Sequence, residues 1–445
     1  METDRYIAAI EIGSSKIIGA VGKVTDGNKI DVVALEQEKC SDCVKYGIIQ
    51  NLEETSMHIG NIVTKLEKAP SVTPRKISGL YVGLSGRGLR SVVESVELHL
   101  PEDTEINDAI LSRLKSMALA EANDSHTEVV DAIPRCYIIN GDETITPKGR
   151  IAKEVKALFD LITCRGEMRR NIMRTIPEKT GIRMEGYVVT PISTGDIILS
   201  ADEKRLGCML VDLGAETCSV SIYKYGYLYY FATLPLGGRN ITRDLTSLNL
   251  LEEKAEELKT VSGNAISNDS HSQINLNGLK YSDVSNIIVA RSEEIVVNIL
   301  EQIEYACLKS KDLPAGIVCI GGGFKLNGML DLLHNKSQLP VRRGQLPSYI
   351  NLGHSRIPSY EAIEVISILH AGALLNDANC LELKGGTPLP EIGKENPDDN
   401  SDGKNKSQGE TGGETGTDRR NKFMDKIRNK FSNFFNGEDD DTELE

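Results

Sequence analysis

The chain has 445 residues, about three domains' worth at the usual ~100–200 residues each. With 40% apolar and 26% charged residues it can bury sizeable cores, which excludes fibrous and globally disordered classes. The 65 acids against 51 bases, net −14, argue against wholesale nucleic-acid binding, and no apolar run reaches the ~18–20 residues of a membrane-spanning helix. The first ten residues carry charges where a secretory signal needs an apolar stretch. Nine cysteines, an odd number, suit reduced thiols. The bulk of the chain therefore reads as a soluble cytoplasmic protein.

In chain order, the apolar segment 6–10 predicts a strand, the polar run 11–16 a turn, and 17–21 and 29–35 two further strands. The pattern returns two hundred residues on: strand 206–211, turn 212–217, then strands 218–225 and 227–234. Gly237 and Gly238 precede an amphipathic helix expected to run to about residue 248. Residues 284–308 have helical periodicity, with Ile288, Ile295, Ile299, Ile303 and Ala306 on one face. A buried strand at 315–320 leads into Gly321, Gly322 and Gly323, with another helix from about residue 326. Two copies of strand, acid-x-Gly turn, strand, strand imply two similar lobes, with a cleft where their turns face each other.

The turns carry the chemistry. Glu11, Gly13, Ser14, Ser15 and Lys16 offer a carboxylate, close backbone approach, hydroxyls and a positive charge, and Asp212, Gly214 and Thr217 repeat the acid, glycine and hydroxyl. Paired turns of this kind can clamp a polyphosphate through backbone N–H groups. Glu11 and Asp212 would face a hydrated Mg²⁺, which keeps several waters and takes few protein carboxylates. The plain alternative is two polar turns with solvated acids. Strand, glycine turn, helix is where α/β folds place nucleotides. Position 326 is Leu, which removes the Rossmann fingerprint, and no P-loop motif occurs. Cys40 and Cys43 have zinc-like spacing without a second pair, so no metal site is assigned there.

Residues 385–418 are too polar to bury a core and read as a flexible linker with a span of ~30–35 Å. Four of the seven phenylalanines lie beyond it. Wound as a helix, Phe423, Met424, Ile427, Phe431, Phe434 and Phe435 share an arc of ~120°. Lys426 and Lys430 flank one edge and Arg428 the other. Six bases and one acid between 419 and 430 complete the pattern of a helix lying in an anionic membrane surface. The alternative is a helix that docks back on the protein's own core. The acidic last eight residues have no functional account.

The two phosphate-type hairpins followed by the triple-glycine turn resemble the actin/heat-shock-chaperone/sugar-kinase ATPase superfamily. Within it the chain resembles the bacterial FtsA cell-division family over residues 6–375 and again at the far C-terminus. The run Leu84, Ser85, Gly86 is particular to that family; further likeness lies at 80–86, 133–134, 161–164, 211–214, 255–259 and 315–323. The resemblance implies an α/β, actin-like two-lobed ATPase fold of duplicated mixed-sheet lobes with a small inserted α+β domain. It divides the chain into a first lobe at 1–83, an insertion at 84–164, first lobe again at 165–195, second lobe at 196–357 and a return at 358–384. Linker 385–418, amphipathic helix 419–437 and acidic tail 438–445 follow.

The resemblance further implies ATP and Mg²⁺ as ligands. Gly13, Ser14, Ser15 and Lys16 would line the phosphates from one side and Asp212, Gly214 and Thr217 from the other. Glu256 and Lys259 would reach ribose and adenine, and Gly321, Gly322 and Gly323 would support the adenosine, with Phe324 as a stacking wall. The implied partners are FtsZ, further copies of the chain in a head-to-tail filament, an anionic membrane surface and later division proteins. The implied place is the cytoplasmic face of the membrane at the division site, as a peripheral protein. Two departures stand out: Ala215 and Glu216 where Gly-Gly is common, and Ser367 where a helix-packing glycine is usual, expected to restrict motion between the lobes. ATP turnover is expected to be weak at most. The rival readings are a scaffold ATPase of pilus or secretion assembly and a sugar or acid kinase of the same superfamily.

Overall fold

The first of the two repeated hairpins is buried in one hydrophobic core and most of the second in another. The computed structural model describes residues 4–25, 29–121, 127–266, 275–276, 278–352 and 356–383. The expected linker, amphipathic segment and acidic tail lie outside the described residues.

In the first lobe, β1 (Tyr6–Ile12) and β2 (Lys16–Thr25) form an antiparallel hairpin continued by β3 (Lys29–Lys39). Helix α1 (Leu52–Lys68) starts where the Asn51 side chain accepts a hydrogen bond from the Glu54 N–H at 3.2 Å. Thr55, Ile59, Ile62, Val63 and Leu66 form its buried stripe. Strand β4 (Gly79–Leu84) then lies parallel to β1. An inserted unit follows: β5 (Arg90–Glu105), α2 (Asp108–Glu121), β6 (Thr127–Ile139) and β7 (Ile151–Arg165), with a separate core that includes Leu98, Leu114 and Phe159. The chain returns through β8 (Arg183–Val189), completing a sheet of order β8-β4-β1-β2-β3. All seven residues of β1 are buried because the strand is central and covered on both faces.

Helix α3 (Thr190–Ile198) leads to the second lobe, where β9 (Cys208–Leu213), β10 (Cys218–Lys224) and β11 (Tyr227–Leu234) repeat the antiparallel hairpin and its extension. Helices α4 (Gly238–Leu245), α5 (Glu252–Ser262) and α6 (Tyr281–Tyr305) precede β12 (Ile317–Ile320), which runs parallel to β9. Helix α7 (Met329–Ser337), edge strand β13 (Val341–Arg343) and helix α8 (Ser359–Leu375) close the fold. The expected face of α6 is its buried face, with Ile288, Ile295, Ile299 and Ile303 inside. Helix α7 begins three residues later than expected. Gly322–Lys325 takes a 3₁₀ turn and Gly328 sits in the left-handed region at φ +73°, which keeps the α-helix from starting earlier.

Helix α8 is a central post: thirteen of its seventeen residues are buried. It packs on β1 and against α3. Where a glycine was expected, the buried Ser367 hydroxyl lies 3.0 Å from Ser193 Oγ and 3.1 Å from Thr194 Oγ1 of α3 and donates to the Glu364 carbonyl. The helix crossing therefore carries polar links as well as packing.

The inserted sheet is continuous with that of the second lobe through the Arg90–Ala232 pair, giving nine strands in all. The Arg135 guanidinium grips Asp160 with two bonds, at 3.1 and 2.8 Å, and reaches the Tyr229 carbonyl of β11. One expectation is corrected. Cys40 and Cys43 are disulfide-bonded, because the four-residue turn after β3 places both sulfurs on the same buried side. The other seven cysteines are thiols, six of them buried.

Candidate functional site

The β1–β2 and β9–β10 turns have the same backbone hydrogen bond. Gly13 N–H donates to the Lys16 carbonyl at 3.0 Å, and Gly214 N–H donates to the Thr217 carbonyl at 2.8 Å. A side chain at Gly13 would come within 2.9 Å of that carbonyl, so the tight turn needs glycine. The Ser14 hydroxyl accepts from Gly47 N–H at 3.0 Å, and Ser15 is exposed with its carbonyl accepting from Cys40 N–H.

The third turn closes on the second hairpin. Gly321 adopts φ +91°, and a Cβ there would lie 2.5 Å from Asp212 Oδ1; one at Gly323 would strike Leu213. Gly322 faces open space. Gly238, at the start of α4, lies close to the Gly323 backbone, the Gly214 carbonyl and Lys259 Nζ. Lys259 on α5 donates to the Gly238 carbonyl at 3.0 Å, to Thr242 Oγ1 at 2.8 Å and to Glu256 at 2.6 Å. Burial lowers the Lys259 pKa although Glu256 opposes the shift. Gly214, Lys259, Glu256, Gly321 and Gly323 thus converge on one side of the cleft.

Three carboxylates lie deep in this cleft. Burial pushes Glu11 well above the usual carboxylate range, Glu364 of α8 adds to the shift, and Lys16 opposes it. Burial also raises Asp212, followed by the charge of Glu364, a hydrogen bond with it, and then Glu11, with Lys16 opposing. Asp212 Oδ1 has no hydrogen-bond partner. A buried acceptor without a donor, among acids that repel one another, fits a divalent cation. Among the described residues, the side chains whose ligand atoms converge in threes within 4.8 Å lie elsewhere.

Lys16 pairs with Glu361 of α8 at 2.9 Å, and Lys325, just past the triple glycine, pairs with the other oxygen of Glu361 at 2.5 Å. Burial would raise Glu361, but the hydrogen bonds to Lys325 and Lys16 hold it below its ordinary value. On the far side of the second turn, the buried Glu216 accepts from Tyr46 N–H of the first lobe at 2.7 Å. It also accepts from Arg239 at 3.2 Å and Arg243 at 2.5 Å. Arg239 donates onward to the Ser41 carbonyl at 3.1 Å. The residue that departs from the glycine-rich pattern is therefore a strut between the lobes.

Phe324 is a correction. It is 1% exposed and belongs to the second-lobe core, so neither face of its ring is open to a base. The membrane-facing residues Phe423, Met424, Lys426, Ile427, Arg428, Lys430, Phe431, Phe434 and Phe435 lie outside the described residues. Sequence reasoning missed Glu361 and Glu364, two acids one turn apart on an otherwise apolar helix. That oddity was the available signal, since a buried helix carries acids only where something pairs with them. Glu216, Arg239 and Arg243 had no comparable signal, because a surface-type charge has no sequence period that marks a partner 23 or 27 positions away.

Comparison with known proteins agrees with this architecture. A solved chain of a PilM-PilN type IV pilus biogenesis complex superimposes with a TM-score of 0.60 at 14% identity, covering 82% of this chain and 98% of that one. The fold is an actin-like, two-lobed α/β fold. The family model for cell division protein FtsA matches residues 209–362, and that of the SHS2 domain inserted in FtsA matches residues 86–163. The chain is 33% identical over 335 residues to the cell division protein FtsA of Porphyromonas gingivalis, covering 73% of this chain and 69% of the relative. It is 27% identical over 405 residues to that of Neisseria meningitidis serogroup B, covering 88% and 94% respectively. The chain belongs to the FtsA family of cell-division proteins.

Proposed function

We propose that the cleft binds ATP with Mg²⁺ and that the chain acts as an actin-like tether of the division ring. In this reading it polymerises head-to-tail and holds FtsZ filaments to the anionic cytoplasmic membrane through residues 419–437. It also helps recruit later division proteins. The observation that supports it most directly is the pair of identically bonded turns, one from each lobe, with the triple-glycine turn closing beside the second.

Within the cleft, Lys16 and the N–H groups of the two turns would meet the phosphates, and Lys259 with Glu256 would meet the sugar and base. A bound Mg²⁺ would supply positive charge between phosphate and acid, with Glu11 and Asp212 holding it through water. Glu364 would accept hydrogen bonds from that water shell. The fold likeness to the pilus protein speaks to architecture, and family membership favours division over pilus assembly.

The test is thermal stabilisation by ATP and Mg²⁺. The native chain should gain stability, whereas Lys16→Ala and Gly322→Glu should gain none. Gly322 is the useful position because a side chain there enters open space and leaves the fold intact, whereas Gly321 and Gly323 have no room for one. Full stabilisation of both variants would remove the nucleotide from this cleft.

A further inference from the structure

The lysine that should meet a phosphate is already engaged. Lys16 Nζ lies 2.9 Å from Glu361 Oε2, and Glu361 Oε1 lies 2.5 Å from Lys325 Nζ. Both oxygens of one carboxylate are thus taken by cations from opposite walls, Lys16 from the first-lobe hairpin and Lys325 from the second-lobe turn. Glu361 sits in the first turn of α8, where the helix N-terminus also favours a negative charge. The other charged groups that act on Lys16 are Glu11, Asp212 and, through them, Glu364. Lys16 therefore faces Glu361, Glu11 and Asp212, whereas Lys325 faces Glu361.

We infer that Glu361 is a positioning residue that withholds Lys16 from phosphate, so an anionic ligand gains the lysine only by displacing a carboxylate. The inference rests on the nucleotide reading of the cleft and deepens it, since it makes Glu361 a determinant of how strongly phosphates count in binding. The pair can exchange. The Lys16 and Glu361 side chains are 28% and 18% exposed, and a partly hydrated ion pair is held by a modest free energy. A phosphate carries more charge than a carboxylate and offers Lys16 an equivalent point-charge partner. When Lys16 leaves, Lys325 still neutralises Glu361, so no buried charge is stranded.

The readout that separates this role from a structural one compares ligands with and without phosphates. Binding of ATP with Mg²⁺ and of adenosine is measured by calorimetry on the full chain, its Glu361→Gln variant and its Glu361→Ala variant. Removing the carboxylate frees Lys16 and removes one repulsive charge, so ATP should bind about tenfold tighter in both variants. Adenosine affinity should stay within about twofold, and the ATP gain should shrink at high ionic strength. Unchanged or weaker ATP binding in a folded variant would overturn the inference. So would parallel gains for ATP and adenosine, which would mark a loosened cleft. If the native chain and both variants bind neither ligand, the nucleotide reading itself falls and takes this inference with it.

Discussion

At the scale of single residues, the cleft stores repulsion. Glu11 and Asp212 are raised by burial and by Glu364, so the folded chain keeps protons that the unfolded chain has released. Stability therefore falls as pH rises from the ordinary carboxylate range through the raised values. A divalent cation favours the ionised forms and opposes that fall. Mg²⁺ should raise the melting temperature more near about pH 8 than near about pH 5.5. Asp212→Asn removes one charge of the cluster. It should raise the metal-free melting temperature at alkaline pH by about 2–4 °C while abolishing the Mg²⁺ increment. Scanning calorimetry at both pH values decides this, and an undiminished Mg²⁺ response in the Asn variant would place the cation elsewhere. Asp160 is a contrasting case. Burial lifts it to about 6 even though Arg135 holds it, yet its work is to anchor the inserted unit, away from the cleft.

Among elements, polar links tie together segments far apart in the chain. Ser367 ties α8 to α3, and Glu216 ties the β9–β10 turn to the 40–47 loop of the first lobe. Glu216→Gly restores the commoner turn but leaves Arg239 and Arg243 without their buried acid and Tyr46 N–H without its acceptor. Arg239 would keep Glu252 and the Ser41 carbonyl, and Arg243 is partly hydrated, so the cost falls mainly on the contact with the first lobe. The loss should appear as faster amide exchange at 40–47 and 239–243, with the inserted unit's strands unaffected. If exchange at those segments is unchanged, Glu216 is no strut.

On the scale of the whole molecule, the inserted unit has its own core and enters and leaves the first lobe at one place. Gly88 lies against the Arg165 side chain, and Arg90 pairs with Thr163. Deleting 84–164 should preserve ATP-dependent stabilisation and prevent filament formation on lipid. Normal filaments seen by electron microscopy on a lipid monolayer would refute an assembly role. The C-terminal segment 419–437 combines apolar and basic residues. A phenylalanine fully removed from water contributes ~1.5–3 kcal/mol, less at interfacial depth, and each base near an anionic surface adds ~1 kcal/mol. Phe431→Glu with Phe434→Glu should release the protein from anionic liposomes without altering ATP binding. Removing the bases alone should leave weaker and less salt-dependent binding. Sedimentation with liposomes measures both, and a double variant that still pellets would end the tether reading.

The duplicated hairpins, their acid-x-Gly turns, the triple-glycine turn and the buried face of α6 were legible in the sequence, because each is local. Strand alternation, helical periodicity and glycine at tight turns express themselves within a few residues. The tertiary structure alone decided which groups meet. It buried Phe324 in a core, paired Cys40 with Cys43, set Glu361 between two lysines 309 positions apart (16 and 325) and placed Glu216 against a loop 170 positions away. The Lys325–Glu361 and Tyr46–Glu216 contacts depend on how two separately built lobes close on each other, and a charge has no sequence period that announces its distant partner. The free energy of a buried carboxylate is set by its neighbours in space, which only the folded chain supplies.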